Sequence, residues 1–383
     1  MILIKKGTVK TMEGPDIIDG DVLIDGDKIK EIGKNIEVNE DVEVIDASGC
    51  LVVPGLIDGH CHLGMWEEGI GFEGADGNES VDPVTPQLRA IDSINPMDEG
   101  FKMAREGGVT TAVTGPGSAN VIGGTFAAVK TYGYRIDNMI IKYPTAMKIA
   151  FGENPKRVYN EKDKSPITRM ATASILRETL YKANKYYEDT ERGKKEPDEK
   201  PEFDIKMESM IPVMNGEIPL KAHAHRADDI FTALRIAKEF ELDITLDHCT
   251  EGHLIAEDLS KENKPALVGP SLSEKSKYEL KNLTFETPKI LNEAGVEIAI
   301  ITDSPVIPLQ YLALVAGLAV KSGLKEEEAW KAITINPAKI SGIDNRVGSL
   351  KEGKDADIVI FEGNPLKNID SKPKKVIING KIV

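Results

Sequence analysis

From Leu51 to about Ser341 the chain repeats one alternation, and that alternation restricts the fold more than any other feature. "LVVPGLIDGH" is followed by the helical "MDEGFKMAREGG" and then by the apolar run "VTTAVTG". Further along, "IPLKAHAH" precedes the amphipathic "DDIFTALRIAKEF", and "LDITLDH", "PALVGP", "TPKILNEAG" and "EIAIITDS" continue the rhythm. Short apolar runs alternating with helical stretches predict parallel strands joined by crossover helices. The strands number roughly eight, which favours an α/β fold closed into a (β/α)8 TIM-like barrel over an open doubly wound sheet.

The two ends read differently. "TVKT", "DVLIDG", "KIKEIG" and "VEVIDA" are brief strands, with Asp19-Gly20 and Asp25-Gly26 between them as tight hairpin turns. "ADIVIFEG" and "KKVIINGKIV", with Asn379-Gly380 as a turn, repeat the style at the far end. A small β-sandwich domain built from residues 1–53 and 342–383 is therefore expected, enclosing a barrel over 54–341. Two stretches break the rhythm. Residues 64–96 are rich in Gly, Asp and Pro without helical periodicity, the mark of a functional or a disordered loop. "KYYEDTERGKKEPDEKPEFD" reads as a solvated, mixed-charge excursion between helix and strand.

Composition narrows the function. A formal charge of −15 over 383 residues argues against nucleic acid and against an anionic membrane surface. The start, "MILIKKGTVKTMEG", has no apolar core followed by a small-residue cleavage site, so no signal peptide is read. "YLALVAGLAV" is too short to span a bilayer. Cys50, Cys61 and Cys249 form an odd set without framework spacing, as expected in a reducing cytoplasm. The remaining expectation is a cytoplasmic protein acting on a small molecule.

The six histidines are His60, His62, His223, His225, His248 and His253. His60, His223 and His248 each stand where an apolar strand turns polar, and Asp303 in "AIITDSP" has the same placement. In a parallel barrel such strand ends converge on one mouth. Side chains two apart on a strand leave the same face, so His60 and His62 can reach one ion while Cys61 turns away. Imidazole nitrogens and carboxylate oxygens are the usual ligands of zinc and its neighbours. Cys61 and Cys249 are read as small buried apolar residues.

"GCLVVPGLIDGHCHLG" resembles the opening segment of the amidohydrolase superfamily, in which strand one ends in His-x-His. "HAHRADDI", "LDHCTEGH" and "ITDS" resemble its strand five, six and eight signatures, and "NPAKISGIDNRVGSLKEGKDADIVIFEGNPL" its closing segment. The nearest flavour is the imidazolonepropionase-related amidohydrolases of undefined substrate. This resemblance implies that His60, His62 and Asp303 bind one divalent metal, zinc being the expected ion, and that His223 and His248 bind a second; a single ion is the alternative. A strand-four group would bridge the pair, either Lys148 as a carbamate or Glu153 as a carboxylate. The implied reaction is hydrolysis of a carbon–nitrogen bond in an amide, cyclic amide, imide or small peptide. A metal-activated hydroxide would attack, with Asp303 as the catalytic proton shuttle.

Substrate selection is expected from mouth loops: residues 64–96, "NVIGGTFAAVKTYG" with Lys130, and the cations Arg157 and Arg226. Arg226 either holds a substrate carboxylate or pairs with Asp228 or Asp229. His225 is placed to touch substrate or shape the mouth, and His253 stands near a helix start. Within the superfamily, an imidazolonepropionase or a mononuclear deaminase is the rival. Arg226 occupies the position at which family deaminases commonly carry glutamate. A non-catalytic barrel homologue is the rival from another class, and it would be expected to lose ligands that are all present here. "GIGFEG" at Gly69 to Gly74 matches a dinucleotide-binding pattern but lacks its strand–turn–helix context. Oligomeric state is left open, a dimer or larger homo-oligomer being the family's habit.

Overall fold

The β-rich ends of the chain pair with each other, and the alternating middle curls on itself. The computed structural model describes residues 1–38, 41–69 and 71–383; Ile70, within the Gly69–Gly74 pattern, lies outside them. The strands are, in order, β1 (Ile2–Val9), β2 (Ile17–Asp25), β3 (Lys28–Gly33), β4 (Glu43–Asp46), β5 (Leu51–Pro54), β6 (Leu56–Cys61), β7 (Val109–Thr114), β8 (Ile122–Lys130) and β9 (Ile140–Ala150). They continue as β10 (Leu220–Ala224), β11 (Ile244–His248), β12 (Ala266–Val268), β13 (Ile298–Ile300), β14 (Ile358–Glu362), β15 (Lys372–Ile378) and β16 (Lys381–Ile382).

One sheet has the order β16-β15-β14-β5-β1-β2-β3, with β4 also paired to β1. It buries a core of its own that includes Ile4, Val22, Ile24, Val52, Ile358 and Ile377. Asp25-Gly26 turns β2 into β3, and Asn379-Gly380 turns β15 into β16. Asp19-Gly20 does not make a turn. It lies inside β2, where Asp19 has φ of 53° and the register against β1 shifts, so its left-handed tolerance serves a bulge instead.

The second sheet runs in sequence order from β6 to β13, and β13 returns alongside β6, giving a nearly closed eight-stranded α/β barrel. One strand corrects the expectation of uniformly parallel strands. β8 is antiparallel to both β7 and β9. The links on either side of it carry no α-helix, and a short link can only reverse the chain. "NVIGGTFAAVKTYG", expected as a mouth loop, is thus mostly a fully buried barrel strand. Helices Glu99–Glu106, Arg169–Gly193, Ala227–Glu239, Ala256–Glu262 and Thr287–Glu293 occupy the other crossovers. The charged run from Lys185 is half helical rather than a loop, because Lys185–Asp189 and Asp189–Arg192 pairs, each at 2.9 Å, line up at helical spacing. Among the described residues, no helix is long and apolar enough to cross a membrane.

Candidate metal centre

The C-terminal ends of the parallel strands deliver the chemistry to one mouth. His60 lies in β6 and His62 just beyond it, while Cys61 is buried between them with Sγ 3.7 Å from the Val113 carbonyl. Asp303 follows β13 with φ of 54°, and His248 ends β11 with φ of 71°. Left-handed backbone at two non-glycine residues is costly, and such positions concentrate at functional sites. Asp303 Oδ1 stands 3.4 Å from His60 Nε2 and 3.2 Å from His62 Nε2. Asp58 ties these strand ends together. Its carboxylate accepts from His60 N at 2.9 Å, Thr302 N at 2.9 Å and Thr302 Oγ1 at 2.6 Å. Burial pushes the Asp58 carboxyl up to about 6 in spite of those bonds.

A second cluster adjoins the first. His223, His225 and His248 are buried and offer ring nitrogens within 4.8 Å of one another, and the His248 ring lies 5.2 Å from that of His60. His62 Nδ1 meets the Gly115 carbonyl at 2.7 Å, and His248 Nδ1 meets the Gly269 carbonyl at 2.8 Å. A carbonyl only accepts, so in both rings Nδ1 carries the proton and Nε2 presents a lone pair. Burial first, and then neighbouring imidazoles, hold His223, His225 and His248 well below the ordinary histidine range, which keeps them neutral. For Asp303 burial acts upward, but the neighbouring imidazoles of His248, His60 and His62 outweigh it and keep the carboxyl well below its usual range.

Deeper in the barrel, Asp247 is fully buried. Lys148 Nζ reaches its Oδ2 at 3.4 Å, while Lys221 Nζ lies 2.9 Å from its Oδ1 and His60 Nδ1 3.0 Å from its Oδ2, both without hydrogen-bond alignment. Burial lowers the Lys148 ammonium pKa, partly offset by Asp247. Both nitrogens of His60 and of His223 lack any hydrogen-bond partner among the described residues. Each such buried group costs about 1–3 kcal/mol unless something else satisfies it. Neutral imidazoles with outward lone pairs, a low-pKa carboxylate and unpartnered ring nitrogens together fit a divalent cation. Above them opens a cleft of about 630 Å³, walled in part by Trp66, Asn78, Asn154, Arg157 and Lys277.

Comparison with known proteins bears on the family. Residues 221–383 match the model of the Amidohydrolase family. The crystal structure of an amidohydrolase from Thermotoga maritima MSB8 superposes with a TM-score of 0.97, at 43% identity, over 100% of this chain and 99% of that one. The chain belongs to the amidohydrolase family. It is also 30% identical over 361 residues to amidohydrolase tasK of Hapsidospora irregularis, covering 88% of this chain but 37% of that protein. An imidazolonepropionase of Bacillus velezensis is 29% identical over 180 residues, 43% of this chain and 40% of its own length. Molinate hydrolase, at 18% identity and a TM-score of 0.63 over 100% of this chain and 94% of that one, shares the fold.

Within this amidohydrolase scaffold the structure sorts the remaining sequence candidates. Glu153 does not approach the histidines; its Oε1 accepts from Glu279 N at 3.2 Å. Arg226 is tied to Asp228 by two bonds of 2.9 and 2.8 Å and does not line the cleft. Lys130 is not at the mouth at all. Because β8 runs backwards, its end lies opposite the start of β9, on the barrel floor, where Lys130 bonds Asp355 and Asp357. Arg157 does face the cleft, exposed and without an ion pair among the described residues. His225 joins the histidine cluster as well as the cleft wall. His253 turns aside toward Thr250 and Thr287. Sequence reasoning missed Asp58, Lys221, Asp247 and Glu279. Lys221 shares strand parity with His223 and was findable by alternation, whereas Glu279 sits in an aperiodic loop.

Proposed function

We propose that this chain is a metal-dependent hydrolase that cleaves a carbon–nitrogen bond in a small amide, cyclic amide, imide or small peptide. The observation that supports it most is one cleft lined by His62, Asp303, His223 and His225, whose two clusters His60 and His248 complete, with buried imidazole nitrogens that no group among the described residues satisfies. Divalent ions, zinc being suited to this donor set, would supply Lewis acidity toward a carbonyl and acidify water. His60, His62 and Asp303 would hold one ion, and His223 and His248 a second. Lys148, buried beside Asp247, is the group whose carbamate would bridge them. Asp303, the one carboxylate common to the first cluster and the cleft, takes a proton from the attacking water and returns it to the leaving nitrogen. Arg157 is free to orient an anionic substrate group. Within that class, opening of a cyclic amide draws on the similarity to proteins named imidazolonepropionase.

The test is metal content by plasma mass spectrometry together with hydrolysis of an amide, cyclic imide and dipeptide panel. About two ions per chain are expected, with hydrolysis abolished by a chelator and restored by zinc. Metal-replete protein that hydrolyses nothing in the panel would overturn the reading.

A further inference from the structure

His60 and His62 have Asp303 beside them, but the cluster of His223, His225 and His248 has no carboxylate from a barrel strand. The loop after β12 brings one. Glu279, in the short turn Tyr278–Leu280, is fully buried. Its Oε1 lies 3.7 Å from His225 Nε2 and 4.0 Å from His223 Nε2. These separations are too long for hydrogen bonds. They do suit ligands sharing an ion, because two donors each about 2.1 Å from zinc stand roughly 3.4 Å apart at the tetrahedral angle and farther as it opens. Neither nitrogen of His223 has a hydrogen-bond partner among the described residues.

The carboxylate is held in that position from behind. Its Oε2 accepts from Glu153 N at 2.9 Å, and Glu279 N donates in return to Glu153 Oε1 at 3.2 Å. Lys277 Nζ touches Oε1 at 3.2 Å while bonding Asn154 Oδ1 at 2.9 Å. Gly152 makes room: it has φ of +80°, and a Cβ there would sit 2.5 Å from Glu279 Oε2. A non-glycine residue would push the carboxylate out.

Resting on the metal reading above, we infer that Glu279 is a ligand of the second ion, alongside His223 and His225, the two imidazoles that its Oε1 approaches. Glu153 then acts as a positioning residue rather than as a bridge. The loop that bears Lys277 on the cleft wall also carries a ligand, so ordering of that wall is linked to occupancy of the second ion.

Zinc retention under graded chelator competition tests this in the full chain. Glu279→Gln keeps the side-chain volume and an acceptor for Glu153 N but removes the anionic oxygen. The expected result is a fall in the affinity of one ion beyond the roughly 10–100-fold that loss of a group merely supporting a ligand costs, with the other ion unchanged. Both ions held as in the wild type would overturn the inference and leave the metal reading standing, whereas wild-type protein that holds no ion overturns both. Glu153→Ala removes one half of the reciprocal pair and should weaken zinc less than Glu279→Gln does; an equal loss assigns the effect to loop packing and overturns the ligand role. A zinc-edge anomalous map of wild-type crystals needs no variant. An ion about 2.0–2.2 Å from Glu279 Oε1 is expected, and one beyond about 3 Å overturns the inference.

Discussion

The two ends of the barrel bury comparable amounts of polar chemistry and treat it in opposite ways. At the floor, Lys130 bonds Asp355 at 2.9 Å and also Asp357; Asp355 further takes Lys28 at 2.6 Å and Arg346 at 2.7 Å. Asp357 accepts from Asn379 N at 2.9 Å. These contacts join β8 to the sheet formed by the chain ends, and each buried charge meets an opposite one. At the mouth, His60 and His223 keep their ring nitrogens without partners. A polar group satisfied inside the protein stabilises the fold, whereas one left unsatisfied is held ready for something the protein binds. Floor and mouth therefore differ in purpose, although both bury ionisable side chains.

That contrast can be broken by substitution. Asp303→Asn should lower kcat by about 10²–10⁴ with little change in urea unfolding of the metal-free protein; a loss of stability that matches the loss of rate would erase the distinction. Lys130→Met should do the reverse. Removing one partner from a buried network costs about 3–5 kcal/mol, read as a lower urea midpoint, while the surviving folded enzyme keeps its KM. A shifted KM would return Lys130 to the substrate site.

The floor should also respond to acid. For Asp355 burial acts upward, but Lys130 and the bonds from Lys28 and Arg346 outweigh it and bring the carboxyl down to about 2. An unfolded aspartate titrates near 3.9, on the order of two units higher. The folded-state pKa is the lower one, so this stabilisation is complete above about pH 4 and is lost as pH falls toward 2, roughly 2 kcal/mol in all. The stability gap between wild type and Asp355→Asn should narrow over that window, and a constant gap would refute the linkage. The smallest effect is expected from Arg226→Ala. Its partner Asp228 is half exposed, so a change within about 1 kcal/mol and an unaltered KM are expected. A large KM increase for anionic substrates alone would show that Arg226 leaves Asp228 to bind them.

Much of the mouth was legible because it follows from local rules. Alternation along β6 separates His60 and His62 from Cys61, and strand ends in a barrel share one face, so His223, His248 and Asp303 converge without any knowledge of packing. Turn chemistry located Asp25-Gly26 and Asn379-Gly380, but the same dipeptide at Asp19-Gly20 served a bulge, since left-handed backbone suits either use. The reversed strand β8 was hidden because a buried strand is apolar whichever way it runs.

What the sequence determined by itself is the set of residues that strand periodicity and the closing of the barrel bring to one mouth: two histidines on β6, the histidines of β10 and β11, and Asp303. What only the tertiary structure decided is which charges pair with which. Lys130 finds Asp357 across 227 positions, and Glu279 finds Glu153 across 126. Arg226 settles on its neighbour Asp228 although a substrate role was equally compatible with its place in the chain. Ion pairing depends on the distance and burial of side chains in three dimensions, neither of which has a period that a sequence displays.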